Sequence, residues 1–282
     1  MQKLELFDET FDPDRTEAYE LSIQVSLNGF SFCIKDLSRN FFIGLGSRPF
    51  EKTTVTPDDW SHQVSAMVNA YTWLTKPFKR VIFSFESEVF TLIPEAVFAP
   101  EKAKILLAMA APLNDLDEVR FNKMPNSIYS VFSIPSLLVT SWLRVQPKSK
   151  IVAYCDSALH YHSLNANIHN ENSITISFAD GFAIAIASKE KQLKQCTSVK
   201  VENAEDIAYH AMNISKTLGN SPSTTSIQLV GHFKMHDELQ TILNRYFAKV
   251  ITLSTAEQSH FSYLISKHKK RFANLFNQSL CA

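Results

Sequence analysis

Glycine is scarce in this chain, accounting for only 6 of its 282 residues. A loop that wraps a nucleotide phosphate depends on glycine, because only a residue without a Cβ lets backbone N–H groups approach the phosphate so closely. The glycines fall in two groups, three within residues 29–46 and three within residues 181–231, and no two are adjacent. The composition therefore argues against a glycine-rich phosphate-binding loop.

Cysteine is almost as rare, and the four cysteines are far apart, at Cys33, Cys155, Cys196 and Cys281. Their spacing fits neither a CxxC motif nor a zinc-binding pattern, so they predict no metal site. Isolated thiols that stay reduced are typical of cytoplasmic proteins. We therefore expect a cytoplasmic protein.

The chain also has no net charge, since 28 basic residues balance 28 acidic ones. Without a net basic field the chain is not expected to bind nucleic acid or a membrane surface. No apolar run approaches the roughly 18–20 residues of a membrane-crossing helix. The acidic start, residues 1–14, is not typical of a signal peptide. The sequence thus predicts a soluble protein that binds neither nucleic acid nor membrane.

Two stretches with alternating polarity, residues 23–34 and 174–186, predict β-hairpins. A period of two places every second side chain on the same face of a sheet. An Asn-Gly pair in the first stretch and an Asp-Gly pair in the second supply the positive φ that tight turns require. We expect the six large apolar side chains of each hairpin, Leu27 among them, to share one sheet face.

The same series of elements follows each hairpin. A third strand and a helix precede a short apolar strand, residues 80–85 in the first half and 226–230 in the second, of the type found in buried parallel sheets. Asn203 and Asp206 have the spacing of a capping box at the start of the second-half helix. The tail from residue 257 predicts one amphipathic helix.

This duplication predicts two domains. The first spans residues 1–168, with an irregular insertion at about 86–134, and the second spans residues 169–282 with a C-terminal helix. Each domain has the element order strand, strand, strand, helix, strand, helix, strand. The sequence therefore predicts an α/β protein made of two βββαβαβ units.

This order, given twice, is the pattern of the actin-like fold, which is shared by actin, sugar kinases and the ATPase chaperones. More narrowly, the chain resembles a bacterial family known only as domain of unknown function 3822. The segments that carry this resemblance are FTLIPEAVF at 90–98, EDIAY at 205–209 and LVGHF at 229–233. The resemblance implies a ribonuclease H-like architecture of two domains with a cleft between them.

In actin-like ATPases two hairpins hold the nucleotide phosphates, with an Asp-x-Gly motif in each. The resemblance implies that the two hairpins of this chain correspond to them. The carboxylates there hold Mg²⁺ and its waters. In this chain Ser26 and Ser177 stand in the places of those carboxylates. Phe30 and Phe182 follow the turn glycines, where the family has a small residue. Both hairpins therefore depart from the pattern at the positions that bind the ligand.

The loop that holds adenosine in the family departs as well. It usually has two consecutive glycines, whereas this chain has Gly231 followed by His232. The degenerate nucleotide-site positions predicted here are Ser26, Asn28, Gly29, Ser31, Ser177, Asp180, Gly181, Gly231 and His232. No catalytic residue, metal ligand or cofactor is predicted.

The sequence favours a non-catalytic binding or scaffold module for an unknown protein partner or small ligand. The alternative is an ATP-dependent kinase or ATPase with displaced metal-binding carboxylates. Candidates for those carboxylates are Asp36, Asp180 and Glu86.

Weaker signals are open to simpler explanations. His160 and His162 suggest a metal site, but residues two apart on a helix do not face each other. His232 and His236 flank a predicted helix start, where an anion can bind, although local capping and surface polarity explain them better. The basic run 267–271 is typical of a solvated helix face.

Overall fold

A computed structural model describes residues 3–51, 56, 58–169, 172–255 and 259–282, with the backbone alone at 166–169. The chain forms two compact units. Unit 1 comprises residues 1–156, 257–268 and 278–282, and unit 2 comprises residues 157–256 and 269–277. The tail thus contributes to both units. The domain boundaries expected from the sequence, 1–168 and 169–282, stay a prediction.

The elements lie close to where the sequence predicts them. The strands are β1 (Leu4–Phe7), β2 (Tyr19–Ser26), β3 (Gly29–Asp36), β4 (Phe41–Pro49), β5 (Arg80–Phe85), β6 (Phe90–Pro94), β7 (Asp117–Met124), β8 (Ile128–Pro135), β9 (Lys150–Ala153), β10 (Asn172–Phe178), β11 (Phe182–Lys189), β12 (Gln192–Lys200), β13 (Ser226–Val230), β14 (Lys249–Leu253) and β15 (His260–Phe261). The α-helices are α1 (Asp59–Ala70), α2 (Ala103–Ala110), α3 (Ser136–Val145), α4 (Tyr154–His169), α5 (Ala204–Thr217), α6 (His236–Leu243), α7 (Tyr263–Ser266) and α8 (Ala273–Asn277). A short 3₁₀ turn, Gln278–Cys281, follows α8.

The two large sheets have the same topology. In unit 1 the strand order is β1-β4-β3-β2-β5-β9, and in unit 2 it is β12-β11-β10-β13-β14. In unit 1, β2, β3 and β4 pair antiparallel, and β5 and β9 extend the sheet in parallel. In unit 2, β10, β11 and β12 pair antiparallel, and β13 and β14 extend the sheet in parallel. The duplicated βββαβαβ order predicted from the sequence is confirmed.

The insertion expected at about 86–134 consists of three strands and a helix. Its strands form a separate antiparallel sheet in the order β6-β8-β7. Helix α2 packs on this sheet through Ala103 and Leu107, which form a buried cluster with Val131. The insertion is therefore a small layered element with its own apolar core.

The first hairpin matches its prediction except at Leu27. Ser26 pairs with Gly29, so the turn consists of Leu27 and Asn28 rather than Asn28 and Gly29. Leu27 is accordingly 49% exposed. Its expected place on the apolar face is wrong, because the shift of the turn by one residue removes it from the strand.

The second hairpin corrects a larger part of the prediction. Ile176 lies opposite Ala185, and Ile184 lies opposite Ser177. Opposed residues of an antiparallel pair project on the same face, so the isoleucines of β10 and β11 lie on opposite faces. The expectation that all six apolar side chains share one face is wrong here. The physical reason is a turn of two residues, closed by the hydrogen bond from Ala179 N to Phe182 O, where the prediction assumed three.

Helix α5 begins as the sequence predicts. Asn203 accepts a hydrogen bond from the Asp206 backbone N–H at 2.8 Å, and Asp206 accepts one from the Asn203 N–H at 3.2 Å. Gly219, with a φ of +65°, follows the helix in the left-handed conformation that favours glycine. Helices α5 and α6 contribute Ile207, Leu239 and other apolar side chains to the core of unit 2.

The predicted single helix in the tail is wrong. The tail instead contains β15, α7, α8 and the 3₁₀ turn. Strand β15 pairs in parallel with β4, and Phe261 stacks on Phe42 with ring centroids 4.8 Å apart. Pairing with an available strand and the stacking of Phe261 on Phe42 outweigh the helical pattern, and local sequence alone cannot reveal either contact. None of the helices in the described part of the chain has the length and apolar composition needed to cross a membrane.

Candidate functional site

Ser26, in the first hairpin, bonds to its own turn. Its hydroxyl donates to the Gly29 carbonyl oxygen at 3.3 Å and accepts from the Asn28 N–H at 3.2 Å. The side chain is only 6% exposed. Ser31 is buried as well, between Gln24 and Ser47 on the neighbouring strands. The Ser26 hydroxyl therefore serves the hairpin itself, while Asn28 lies exposed in the turn.

Ser177, in the second hairpin, is covered by helix α8. Its hydroxyl donates to Asn274 Oδ1 at 2.6 Å, and Asn274 Nδ2 donates to the Phe178 carbonyl oxygen at 3.0 Å. Ser177 is 0% exposed. A buried hydroxyl that already has a partner has no donor left to offer a ligand. The hydroxyl of Ser177 is thus engaged by a side chain of the tail.

The register of the two hairpins changes the correspondence between them. Both turns contain two residues. When the hairpins are aligned at their turns, Ser177 is therefore equivalent to Gln24 rather than to Ser26. In the same alignment Gly181 is equivalent to Asn28, one position before Gly29. Gln24 carries no charge either. The absence of a carboxylate at this position of the hairpins therefore holds in both alignments.

Gly231 turns the chain sharply at the end of β13. Its φ is +93°, and a Cβ added there would lie 3.2 Å from the Phe178 carbonyl oxygen. Glycine is required at this position for both reasons. The rings of Phe178 and Phe233 stack with centroids 5.0 Å apart and hold the loop on the hairpin.

His232 follows Gly231, where the resemblance predicts a second glycine, and its side chain is exposed. Partial burial lowers the pKa of its imidazole, and the positive charges of Arg271, His236 and Lys234 lower it further. The loop therefore presents cationic groups rather than a bare backbone. The sequence showed the substitution at His232, whereas only the fold shows its neighbours.

The three carboxylates of the alternative hypothesis have different surroundings. Asp36 ends β3, at the opposite end of the strand from the turn, and accepts a hydrogen bond from Arg39 Nε at 2.7 Å. Glu86 accepts a hydrogen bond from the side-chain amide of Gln24. Asp180 is exposed in its turn. The structure therefore removes Asp36 from the hairpin turns and leaves Glu86 and Asp180 beside them.

His162 belongs to a buried network that the sequence did not predict. Its Nδ1 lies 2.7 Å from Thr175 Oγ1, and its Nε2 lies 2.6 Å from Ser188 Oγ. Thr175 Oγ1 in turn donates to Gln228 Oε1 at 3.0 Å. Burial lowers the pKa of His162 to about 4, so the imidazole is neutral. With both ring nitrogens engaged, this histidine holds the sheet to α4 and has no nitrogen left for a metal ion.

Asp156 is a second buried polar group that the sequence did not reveal. Its Oδ2 accepts hydrogen bonds from Asn122 Nδ2 at 2.9 Å and from the Ala153 N–H at 3.1 Å. Burial raises the pKa of this carboxyl to about 6. Asp156 thereby connects the three-stranded sheet to the end of β9. Its position in the first turn of α4 was the one local signal of a structural role.

Comparisons with known proteins agree with this architecture. A family model described as "Protein of unknown function (DUF3822)" matches residues 8–250. A search of curated proteins found no match. A Bacteroides thetaiotaomicron protein with actin-like ATPase fold and unknown function is similar to this chain, with a TM-score of 0.78 and 20% identity over 86% of this chain and 94% of that one.

A structure of the PilM–PilN type IV pilus biogenesis complex is also similar. Its TM-score is 0.58 and its identity 10%, over 95% of this chain and 98% of that one. At such low identities the likeness shows the fold alone. The actin-like fold predicted from the sequence is confirmed.

Proposed function

We infer that this chain, which belongs to the DUF3822 family of proteins of unknown function, is a non-catalytic binding or scaffold module with a degenerate ATP site. The observation that carries this proposal is the capping of Ser177 by Asn274. A hairpin that holds Mg²⁺ and phosphate must present a carboxylate and open backbone N–H groups. Here the corresponding side chain is an uncharged, fully buried hydroxyl.

The second support comes from the first hairpin, where the Ser26 hydroxyl is hydrogen-bonded to the backbone of its own turn. A hydroxyl brings no charge to the water shell of Mg²⁺. The third support is the loop after β13, where His232 replaces a glycine. Since each element departs from the requirements of MgATP independently, we expect no productive nucleotide binding.

A protein partner is the occupant that this proposal favours. The similar PilM–PilN structure is a complex of type IV pilus biogenesis, which supports a role for this fold in protein assemblies. The proposed location is the cytoplasm, supported by the four reduced cysteines Cys33, Cys155, Cys196 and Cys281.

The test is calorimetric titration of the purified protein with ATP and Mg²⁺. We expect no dissociation constant tighter than about 1 mM, which corresponds to roughly −4.1 kcal/mol. Thermal melting with the same ligand should show no stabilisation, whereas a ligand at a hundred times its Kd adds about 2.7 kcal/mol.

The variants Asp180→Asn and Glu86→Gln separate this proposal from the kinase or ATPase alternative. Tight binding of MgATP that either substitution weakens would establish displaced metal carboxylates and overturn the proposal. A Gly231→Trp variant is a poor test, because Gly231 has a φ of +93° and any Cβ there meets the Phe178 backbone.

A further inference from the structure

One face of the large sheet in unit 1 is polar, although most of it is buried. Alternate side chains of a strand project to one face, and on β2 the polar set is Glu20, Ser22 and Gln24. Ser84 extends this face on β5, where it lies beside Gln24. The other face is apolar and carries Phe83, whose ring stacks on Trp142 of α3. The sheet therefore has one side that packs on helices and one side that needs hydrogen-bond partners.

The 3₁₀ turn Gln278–Cys281 lies on this polar face, and we name it the strap. The strap and the sheet both belong to unit 1. Gln278 Nε2 donates a hydrogen bond to Ser84 Oγ at 2.5 Å. The apolar part of the contact is one small buried cluster, which consists of Cys281, Ile82 and Val152.

Two lysines complete the attachment of the strap. Lys35 Nζ on β3 donates to Ser279 Oγ at 3.1 Å, and Lys150 Nζ on β9 donates to the Cys281 carbonyl oxygen at 2.6 Å. Lys35 is partly exposed and Lys150 is exposed, so water can replace the strap as the partner of either ammonium group. Hydrogen bonds that water replaces easily stabilise a closed state only weakly. The strap is therefore attached mainly by contacts that can be exchanged for water.

The closed strap leaves acceptors on the face without donors. Within the part of the chain that the structure describes, nothing donates a hydrogen bond to Oε1 of Gln278 or to Oε1 of Gln24, although both atoms are buried. The same holds for Oε1 of Glu20, whose other carboxylate oxygen lies 2.9 Å from Arg80. A buried acceptor without a donor costs free energy. Opening of the strap removes this cost, because it exposes these atoms to water.

We propose that the strap is releasable and that the polar face beneath it docks a peptide segment of a partner protein. A polypeptide backbone offers carbonyl oxygens, which the strap also supplies to Lys150, and N–H groups, which Gln24 Oε1 and Glu20 Oε1 still lack. A segment that supplies both satisfies the face more completely than the strap does. The strap thus acts as an internal substitute for the partner. This proposal rests on the proposed role as a binding module, but not on the degenerate ATP site.

Alkylation of cysteines with iodoacetamide measures the opening of the strap in the full chain, and mass spectrometry of peptides gives the rate at each cysteine. Cys281 is 3% exposed, and Cys33 and Cys155 are each 1% exposed, so a permanently closed structure protects all three alike. We expect Cys281 to react about a hundred times faster than the other two, because local opening requires less free energy than unfolding of the sheet. Equal rates would show that the strap opens only on global unfolding and would overturn the proposal.

Lys150→Gln removes one attachment of the strap and should speed the alkylation of Cys281 about tenfold. Burial raises the pKa of the Cys281 thiol and Lys150 lowers it, so loss of the lysine charge by itself slows the reaction. Faster alkylation therefore reports opening rather than a more acidic thiol. The matched control is Lys148→Gln, which removes an exposed lysine just before β9 and should leave the rate unchanged. Equal acceleration by both substitutions, or none by Lys150→Gln, overturns the strap.

A peptide added to the protein tests the docking face. The probe is a fluorescent peptide with the sequence of residues 273–282 and the change Cys281→Ser, because the strap is a segment that fits this face. Gln278→Ala combined with Ser279→Ala weakens the strap but leaves the face intact, so this strap variant should bind the peptide about tenfold more tightly than the parent protein. Adding Ser84→Ala removes a hydrogen-bonding group from the face and should reverse most of this gain. Melting curves verify that the variants fold.

The outcomes of the peptide experiment are distinct. Tighter binding by the strap variant that Ser84→Ala reverses supports the proposal. Equal binding by the parent and the variant, or equal binding of a peptide with the same residues in scrambled order, overturns it. A concentration-dependent dimer of the strap variant, seen by sedimentation, identifies a second copy as the occupant and overturns the assignment to a partner protein. Failure of these tests leaves the degenerate ATP site unaffected, since that proposal concerns MgATP and the hairpin residues.

Discussion

At the scale of single residues, the polar groups in the interior of unit 2 are used for structure. His162, Thr175, Ser188 and Gln228 form a continuous buried network. Ser177 forms another with Asn274. Buried polar groups cost free energy unless they are hydrogen-bonded. The residues that resembled site positions in the sequence therefore fulfil a requirement of packing first.

The neutral state of His162 makes stability depend on pH. Its pKa is about 4 in the folded protein and 6.5 when unperturbed, so below pH 6.5 the unfolded chain binds the proton that the folded chain refuses. Folded-state stability from this group is complete above the unfolded pKa and is lost as pH falls from 6.5 towards 4. We expect the contribution of this group to the free energy of unfolding to fall by roughly 2 kcal/mol between about pH 7.5 and pH 5.

Urea unfolding of His162→Gln measures this contribution, because glutamine keeps hydrogen-bonding groups but does not titrate. The variant should lose less stability on acidification than the parent protein by that amount. The exposed His62 supplies the control His62→Gln, which should follow the parent. Equal pH dependence in His162→Gln and the parent would contradict a buried neutral imidazole. Asp156, whose folded pKa is raised to about 6, acts in the opposite direction in both proteins and cancels in the comparison.

At the scale of elements, local sequence signals determine where a helix begins and ends, whereas strand pairing determines which sheet face each residue occupies. The capping box of α5 and the left-handed Gly219 mark both ends of one helix as the sequence predicts. In contrast, the turn lengths of the hairpins decide which face each apolar residue occupies. A difference of one residue in the second turn moved Ile184 to the face of Ser177.

The capping box offers a direct test at this scale. Asn203→Ala removes the acceptor for the Asp206 N–H and should lower the free energy of unfolding by about 1 kcal/mol. Asn203→Ser keeps an acceptor and should restore most of this loss. Chemical denaturation compares the two variants, and equal losses would show that the cap contributes nothing specific.

At the scale of the whole molecule, the tail supplies side chains to both compact units. Asn274 bonds to Ser177 and to the Phe178 carbonyl in unit 2. Gln278 donates to Ser84 in unit 1 at 2.5 Å, and Cys281 packs with Ile82 and Val152. The tail is therefore part of the interior of each unit.

Hydrogen exchange on two variants tests this division. Asn274→Ala leaves the buried Ser177 hydroxyl without its acceptor, so the amides of β10 should exchange faster. Gln278→Ala removes the donor to Ser84, so the amides of β5 should exchange faster instead. Faster exchange of the same strands in both variants would contradict the separate roles of the two tail segments.

The sequence by itself determined the repeated strand and helix order, the caps of α5 and the absence of a carboxylate at positions 24, 26 and 177 of the hairpins. These features are local, because periodicity, caps and residue identity act within a few positions along the chain. The resemblance of the chain to its family added the fold, and both large sheets confirmed the predicted topology.

Only the tertiary structure decided which groups meet across long separations. It placed Asn274 on Ser177, Gln278 on Ser84, and β15 against β4. Such encounters depend on the free energy of packing and pairing summed over the fold, which no local pattern encodes. The tail was mispredicted as one helix for this reason, because its residues gain more from the surfaces of the two units than from continuing a helix.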